Sequence, residues 1–161
     1  MKKDNDKTNV MRILDQKKID YKALYYEVDE NNLDGIHVAS SLGEDPIYVY
    51  KTLVCVSPSK HYYVFVINVC LELDLKKCAK AVGEKSVEMI HVKDIETITG
   101  GYVRGGTSPI GMKKLYKTVI DDLANDLPYI YVSGGKRGTQ VKINPLDLSK
   151  LVNARFIEIR R

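Results

Sequence analysis

The sequence predicts an α+β fold in one compact domain, residues 1–161, with helices packed around a mixed or curled sheet. Three observations carry this. Apolar, β-prone runs outnumber amphipathic helical segments. The two kinds of segment are interspersed without the steady strand–helix alternation of a doubly wound fold. No repeat, low-complexity tract or linker divides the chain. With 161 residues, 44% of them hydrophobic and 29% charged, it can bury a core without staples.

Taken in order, "TNVMRILDQKK" sets Val10, Ile13 and Leu14 on one helical face behind Thr8 as cap. "YKALYYEV" is aromatic and β-prone, a strand from Tyr21 to Val28. Asp34 caps a short helix, "GIHVASSLG", that stops at Gly43. "YVYKTLVCV" and "HYYVFVINV", split by "SPSK", read as a β-hairpin at the centre of a sheet. "DLKKCAKAVG" has an Asp74 cap, apolar residues at helical spacing and a terminal glycine. "VEMIHV" is a strand, and "KDIETITG" is a short helix running into a glycine-rich loop. Beyond that loop "KKLYKTVI" turns from basic to apolar. "YIYVSGG" and "TQVKI" form a second hairpin, and Asn144 before Pro145 starts a last helix. "RFIEI" closes the chain as a strand.

Several function classes are excluded early. No apolar run approaches the ~20 residues of a membrane helix, and the start "MKKDNDKTNV" carries acids and no apolar core, so it is not a secretory leader. Cys55, Cys70 and Cys78 cannot all pair with one another and form no C-x-x-C, which points to a reducing, cytoplasmic setting. His37, His61 and His91 lie in separate elements without metal-ligand spacing, so no metal is expected. Cys55 and Cys70 fall in apolar strands and Cys78 on the apolar face of its helix, as small buried hydrophobes. A net charge of +4 is compatible with a polyanionic partner without requiring one.

Two loops carry the candidate chemistry. "GGYVRGGTSPIG", residues 100–111, holds five of the eleven glycines. It is not a P-loop, because Met112 follows Gly111 and Lys113 is followed by Lys114 rather than Ser or Thr. What it offers is a backbone cradle: Gly105, Gly106, Thr107 and Ser108 can present N–H groups to an anion or a carbonyl oxygen, with Pro109 holding the shape. The second loop, "VSGGKRG", ends a strand with Gly134 and Gly135 and adds Lys136 and Arg137. Two such loops in one domain point to a shared pocket. Lys51 opens an apolar strand; on spacing alone it is a rim lysine with its ammonium in water. Tyr25–Tyr26 and Tyr62–Tyr63 can stack bases, but only one of each pair faces a given surface.

In this order and spacing, "VYKTLV", "LDLKKCAKAVGEKSVEM", "TGGYVRGGTSPIGMKK" and "IYVSGGKRG" resemble the YbaK/EbsC family of aminoacyl-tRNA deacylases, relatives of the editing insertion domain of prolyl-tRNA synthetase. The resemblance covers nearly the whole chain and is nearest to the Cys-tRNA(Pro) deacylase branch. It implies a mixed, partly barrel-like sheet with a pocket at one end. The implied activity is removal, in trans, of cysteine mischarged on tRNA(Pro), with the substrate's own thiol attacking its ester. Prolyl-tRNA synthetase is a second implied partner, and no cofactor or metal is implied. By position, Lys51 matches the family's essential lysine, which overturns the rim reading. Gly105 and Pro109 match its G-x-x-x-P loop, and Tyr26 a pocket tyrosine if one extra residue is allowed, Tyr25 if not. Gln140 stands where some relatives carry an acid, so no carboxylate role transfers to it. Residues and resemblance together give Lys51, Gly105, Gly106 and Ser108 as catalytic. Tyr26, Thr52, Thr107, Pro109, Gly134, Gly135, Lys136 and Arg137 are expected to bind substrate. The alternatives are a deacylase for another small aminoacyl ester, such as Ala-tRNA(Pro), and a non-catalytic module that binds tRNA or a synthetase.

Overall fold

A computed structural model describes residues 7–161, so the reading of the extreme N-terminus as no secretory leader lies mostly outside the described residues. Helix α1 (Asn9–Gln16) begins where the Thr8 hydroxyl accepts from Met11 N–H. Strand β1 (Tyr21–Tyr25) follows. Helix α2 (Gly35–Leu42) is capped by Asp34 and ended by Gly43 at φ 70°. Strands β2 (Tyr50–Val56) and β3 (Tyr62–Asn68) form the expected hairpin, paired from Tyr50–Asn68 to Val56–Tyr62. Helix α3 (Leu75–Val82) lies between the Asp74 cap and Gly83. Then come β4 (Glu88–Met89), α4 (Ile95–Thr99), β5 (Lys117–Ile120), β6 (Ile130–Ser133), β7 (Thr139–Ile143), α5 (Pro145–Val152) and β8 (Arg155–Phe156).

The strands form two sheets. One is antiparallel, in the order β1-β7-β6; the other is mixed, in the order β4-β2-β3-β5-β8, with β3/β5 and β5/β8 parallel. A bridge between Val49 and Tyr131 joins them where β2 begins, giving a partly closed, barrel-like arrangement. Alternation along β3 builds both sides of the core. Val66 faces a cluster with Val10 and Leu14 of α1, Ile120, Val132, Val141 and Leu148. Phe65 and Ile67 face a second cluster with Cys78, Ala79 and Val82 of α3.

Three strands are shorter than expected, each for a local reason. β1 stops at Tyr25 because its partner β7 begins at Thr139, opposite it, after the Gly138 turn at φ 84°. β4 starts no earlier than Glu88 because β2, beside it at the edge of the sheet, ends at the opposing Val56. β8 stops at Phe156 because a side chain takes over: Ile159 N–H donates to the Asp121 carboxylate at 2.9 Å. Cys70 also departs from expectation. It lies past the end of β3, in a turn, and is exposed, whereas Cys55 and Cys78 are buried.

Candidate functional site

A cleft of about 420 Å³ opens where the two sheets meet. Its floor is the start of β2, Tyr50 to Leu53, with Ser133 of β6 and Gln140 of β7 beside it. Leu33 to Ile36 close one side and Arg104, Gly105 and Thr107 of the first glycine loop the other. Lys51 is half-buried in this floor, and its ammonium has no hydrogen bond or ion pair among the described residues.

The loop from Gly100 to Met112 has its shape fixed by its own residues. Lys113 N–H donates to Thr99 O at its base, Tyr102 N–H donates to the Thr99 hydroxyl, and the Tyr102 hydroxyl donates to Ile110 O. Burial pushes the Tyr102 phenol up to about 12, so it stays a donor at neutral pH. The second loop supports the first from outside. Arg137 Nε donates to Arg104 O at 2.7 Å, and its guanidinium lies 3.8 Å from Glu30. The two backbones approach so closely that a Cβ on Gly106 would sit 3.0 Å from Lys136 Cα and Arg137 N. Gly105, at φ 87°, adopts a conformation that disfavours any side chain.

Two atoms in the cleft are anomalous. Thr52 Oγ1 and Gln140 Oε1 are buried and have no hydrogen-bond partner among the described residues. Gln140 is only 5% exposed. Leaving a polar group in this state costs about 1–3 kcal/mol, so such groups are rare in finished cores. Here both line the same opening.

Of the residues expected from sequence, the cleft brings together Lys51, Thr52, Gly105 and Thr107. The cradle is smaller than expected. Gly106 N–H donates to Val103 O at 2.9 Å and is unavailable to a ligand, so the donor role expected of it is corrected. Ser108 is fully buried outside the cleft, its hydroxyl accepting from Ile110 N–H, so it cannot touch a ligand there. The loop turns over at this point, and Pro109 faces a different, apolar groove with Ile13, Leu115 and Leu151. The N–H groups of Gly105 and Thr107 remain without partners among the described residues.

Tyr26 and Tyr25 both lie outside the cleft lining; Tyr26 N–H is bonded to Gly138 O, and Tyr25 is exposed. Gly134, Gly135, Lys136 and Arg137 sit behind the loop rather than in the cleft. Sequence reasoning missed Ser133, Arg104 and Asp34, and set Gln140 aside. The alternation of "TQVKI" places Gln140 on a definite face, but which face lines an opening depends on the sheet pairing.

Chemically, the cleft supplies donors. Among the described residues neither Cys nor His lines it, and none of its hydroxyls is hydrogen-bonded to a base. Burial pushes the Cys55 and Cys78 thiols up to about 12, which suppresses the nucleophilic thiolate. Among the described residues no group of three or more His, Cys, Asp or Glu is arranged to hold a metal ion, and no helix is long and apolar enough to cross a membrane.

Residues 31–151 match the aminoacyl-tRNA editing domain family. The chain is 46% identical over 158 residues, 98% of its own length and 96% of the other's, to an Enterococcus faecalis protein named "Putative Cys-tRNA(Pro)/Cys-tRNA(Cys) deacylase EbsC". A solved structure described as "a putative trans-editing enzyme for prolyl tRNA synthetase" superposes with a TM-score of 0.78 at 19% identity, covering 96% of this chain and 98% of that one. Another, described as "hypothetical protein APE2540", reaches 0.86 at 18% identity and covers 96% and 100%. These two share the fold.

Proposed function

The chain belongs to the aminoacyl-tRNA editing domain family, and from that premise we propose that it is a single deacylase domain, residues 1–161, removing cysteine mischarged on tRNA(Pro) in trans in the cytoplasm. The observation that carries this reading is the cleft itself. Among the described residues it joins an unpaired lysine, two unpaired backbone N–H groups and two unsatisfied side-chain atoms, and is lined by no cysteine or histidine and by no hydroxyl bonded to a base.

An aminoacyl ester is already activated, so its cleavage needs positioning and charge stabilisation more than a strong enzymatic nucleophile. Gly105 and Thr107 N–H are the donors for the oxygen that gains charge at the acyl carbon. Lys51 adds a charge-assisted bond to the ester oxygens or to the terminal nucleotide's phosphate. The Thr52 hydroxyl adds a neutral one. The nucleophile is the substrate's own thiol. Its sulfur bonds to the acyl carbon, the bond from that carbon to the ribose oxygen breaks, and the thiol proton ends on the departing hydroxyl. Cysteine leaves as a cyclic thioester that water then opens. Specificity for cysteine is therefore partly chemical: an alanyl ester carries no group able to attack. Lys136 and Arg137, behind the loop, and the nearby Lys113, Lys114 and Lys117 are candidates for tRNA phosphates. Prolyl-tRNA synthetase, which makes the mischarged species, is the protein partner this reading favours.

The test is deacylation of Cys-tRNA(Pro) and Ala-tRNA(Pro) by wild type and Lys51→Ala side by side. Rapid loss of cysteine alone, abolished by the substitution, is the expected result. Binding of tRNA without release of either amino acid would leave a non-catalytic module, and release of alanine would move the activity to another small aminoacyl ester.

A further inference from the structure

Gln140 supplies a feature of the cleft that the cleavage chemistry does not use. Beside it in the cleft, the Lys51 ammonium and the N–H groups of Gly105 and Thr107 can only donate. Gln140 Oε1 is an acceptor, buried and unpaired, in a side chain that is 95% removed from solvent. It is held in place from both sides. β7 runs between β1 and β6, with Gln140 opposite Leu24 on one neighbour and Ser133 on the other. Ser133 also lines the cleft, and its hydroxyl oxygen accepts from Gly135 N–H. The acceptor is thus built into the middle of a three-stranded sheet rather than carried on a loop.

The acyl part of the substrate has one strong donor, the α-ammonium, one carbon removed from the ester carbonyl. A ligand that accepts from Lys51 while donating to Gln140 has the polarity of an α-aminoacyl ester. We infer that Gln140 is a specificity-determining residue that accepts a hydrogen bond from the substrate's free α-ammonium, so that the cleft takes aminoacyl esters and rejects those whose amine is acylated, such as formylated or peptidyl esters. This rests on the deacylase reading above. Acylation removes the charge, leaves one N–H where there were three and brings a carbonyl-bearing substituent toward Oε1, which weakens the bond and sets acceptor against acceptor. The competing site for the amine is the Asp34 carboxylate, the only acid lining the cleft among the described residues, but it is exposed and already accepts from His37 N–H.

The test compares cleavage of Cys-tRNA(Pro) and N-acetyl-Cys-tRNA(Pro) by wild type, Gln140→Leu, Gln140→Glu and Asp34→Asn, with thermal melting of each protein. Ratios between variants cancel the difference in intrinsic ester reactivity. Wild type is expected to prefer the free amine by about 100-fold. In Gln140→Leu the preference falls to within about threefold through a rise in KM for the free-amine ester, while the melting temperature is unchanged or higher because an unsatisfied buried acceptor has been removed. Gln140→Glu keeps an acceptor and retains or widens the preference, and Asp34→Asn leaves it unchanged. Equal loss on both substrates in Gln140→Leu, collapse of the preference in Gln140→Glu, or its collapse in Asp34→Asn would each overturn the inference. So would a Gln140→Leu protein that unfolds while Gln140→Glu cleaves both esters alike. If wild type releases cysteine without distinguishing the two esters, this inference falls and the deacylase reading stands. If it releases cysteine from neither, both fall.

Discussion

Two buried polar regions of this molecule are treated in opposite ways. Asp121, fully buried at the end of β5, is saturated: one carboxylate oxygen accepts from Ile159 N–H at 2.9 Å, and the Arg160 guanidinium reaches the other at 3.0 Å. Asp122 accepts from the same guanidinium at 2.6 Å. In the cleft, Thr52 Oγ1 and Gln140 Oε1 are buried to a similar degree and accept or donate nothing. The same chain that completes every bond around Asp121 leaves these two open. Where satisfaction is complete the polar group serves the fold, tying the C-terminal segment to β5. Where it is withheld, the stability forgone is kept for a ligand.

The largest effect should come from breaking the saturated side. Asp121→Ala leaves the Arg160 guanidinium without its buried partner and Ile159 N–H without an acceptor. A loss of about 3 kcal/mol is expected, seen as a fall of about 10 °C in melting temperature. Well below that transition kcat/KM should stay within about twofold of wild type. A large catalytic loss without destabilisation would reverse the assignment of this corner to the fold.

Lys51→Ala probes the open side and should do the opposite. The ammonium has no partner to lose among the described residues, so melting should move by no more than about 2 °C. Loss of a charge-assisted contact to the reacting group should lower kcat/KM by about 100-fold. Unchanged kcat/KM would remove Lys51 from the mechanism.

This contrast also marks what could be read from sequence. Features set by neighbouring residues were legible: the Thr8, Asp34, Asp74 and Asn144 caps, the glycine stops at 43 and 83, and the two hairpins all occur where the local chemistry places them. The α+β class followed from the spacing of these elements, and the partly closed sheet came from family resemblance. Lys51 and Gly105 were legible as a pair for the same reason. The parallel pairing of β3 with β5 was not, because it joins residues more than fifty positions apart through no local signal. Within the glycine loop the sequence marks a run of small residues but not where the chain turns over. Thr107 therefore faces the cleft while Ser108, one residue on, is buried behind it. Gln140 is the sharpest case. An unsatisfied amide is a property of what surrounds it, and no residue type signals its own lack of a partner.

Thr52→Val sharpens the comparison with a smaller change. Valine keeps the branched shape and removes only the unpaired hydroxyl. Activity should fall about tenfold, near 1.4 kcal/mol of transition-state stabilisation, while stability holds or rises slightly because no bond within the protein is lost. Stability lost together with activity would mean that the hydroxyl supports the fold after all.

The smallest catalytic effect should belong to the cysteines. In Cys55→Ala/Cys70→Ala/Cys78→Ala, kcat/KM measured where the protein is fully folded should change by less than about twofold, since no thiol lines the cleft and the substrate brings its own. Stability should respond elsewhere on the pH scale. Burial raises Cys55 and Cys78 from 9.0 to about 12 in the folded protein. Near pH 7 both are protonated whether folded or unfolded, and their titration contributes nothing. As pH rises through the window from about 9 to 12, the unfolded chain releases protons that the folded one retains, so stability falls with rising pH. Urea unfolding at about pH 7 and about pH 11 should show that loss in wild type and a shallower one in the triple variant. A folded triple variant with activity reduced 100-fold would make one of these thiols the nucleophile. It would also mean that one of the three reaches the cleft during turnover, and the contrast between an idle, satisfied core and an open, unsatisfied site would no longer hold.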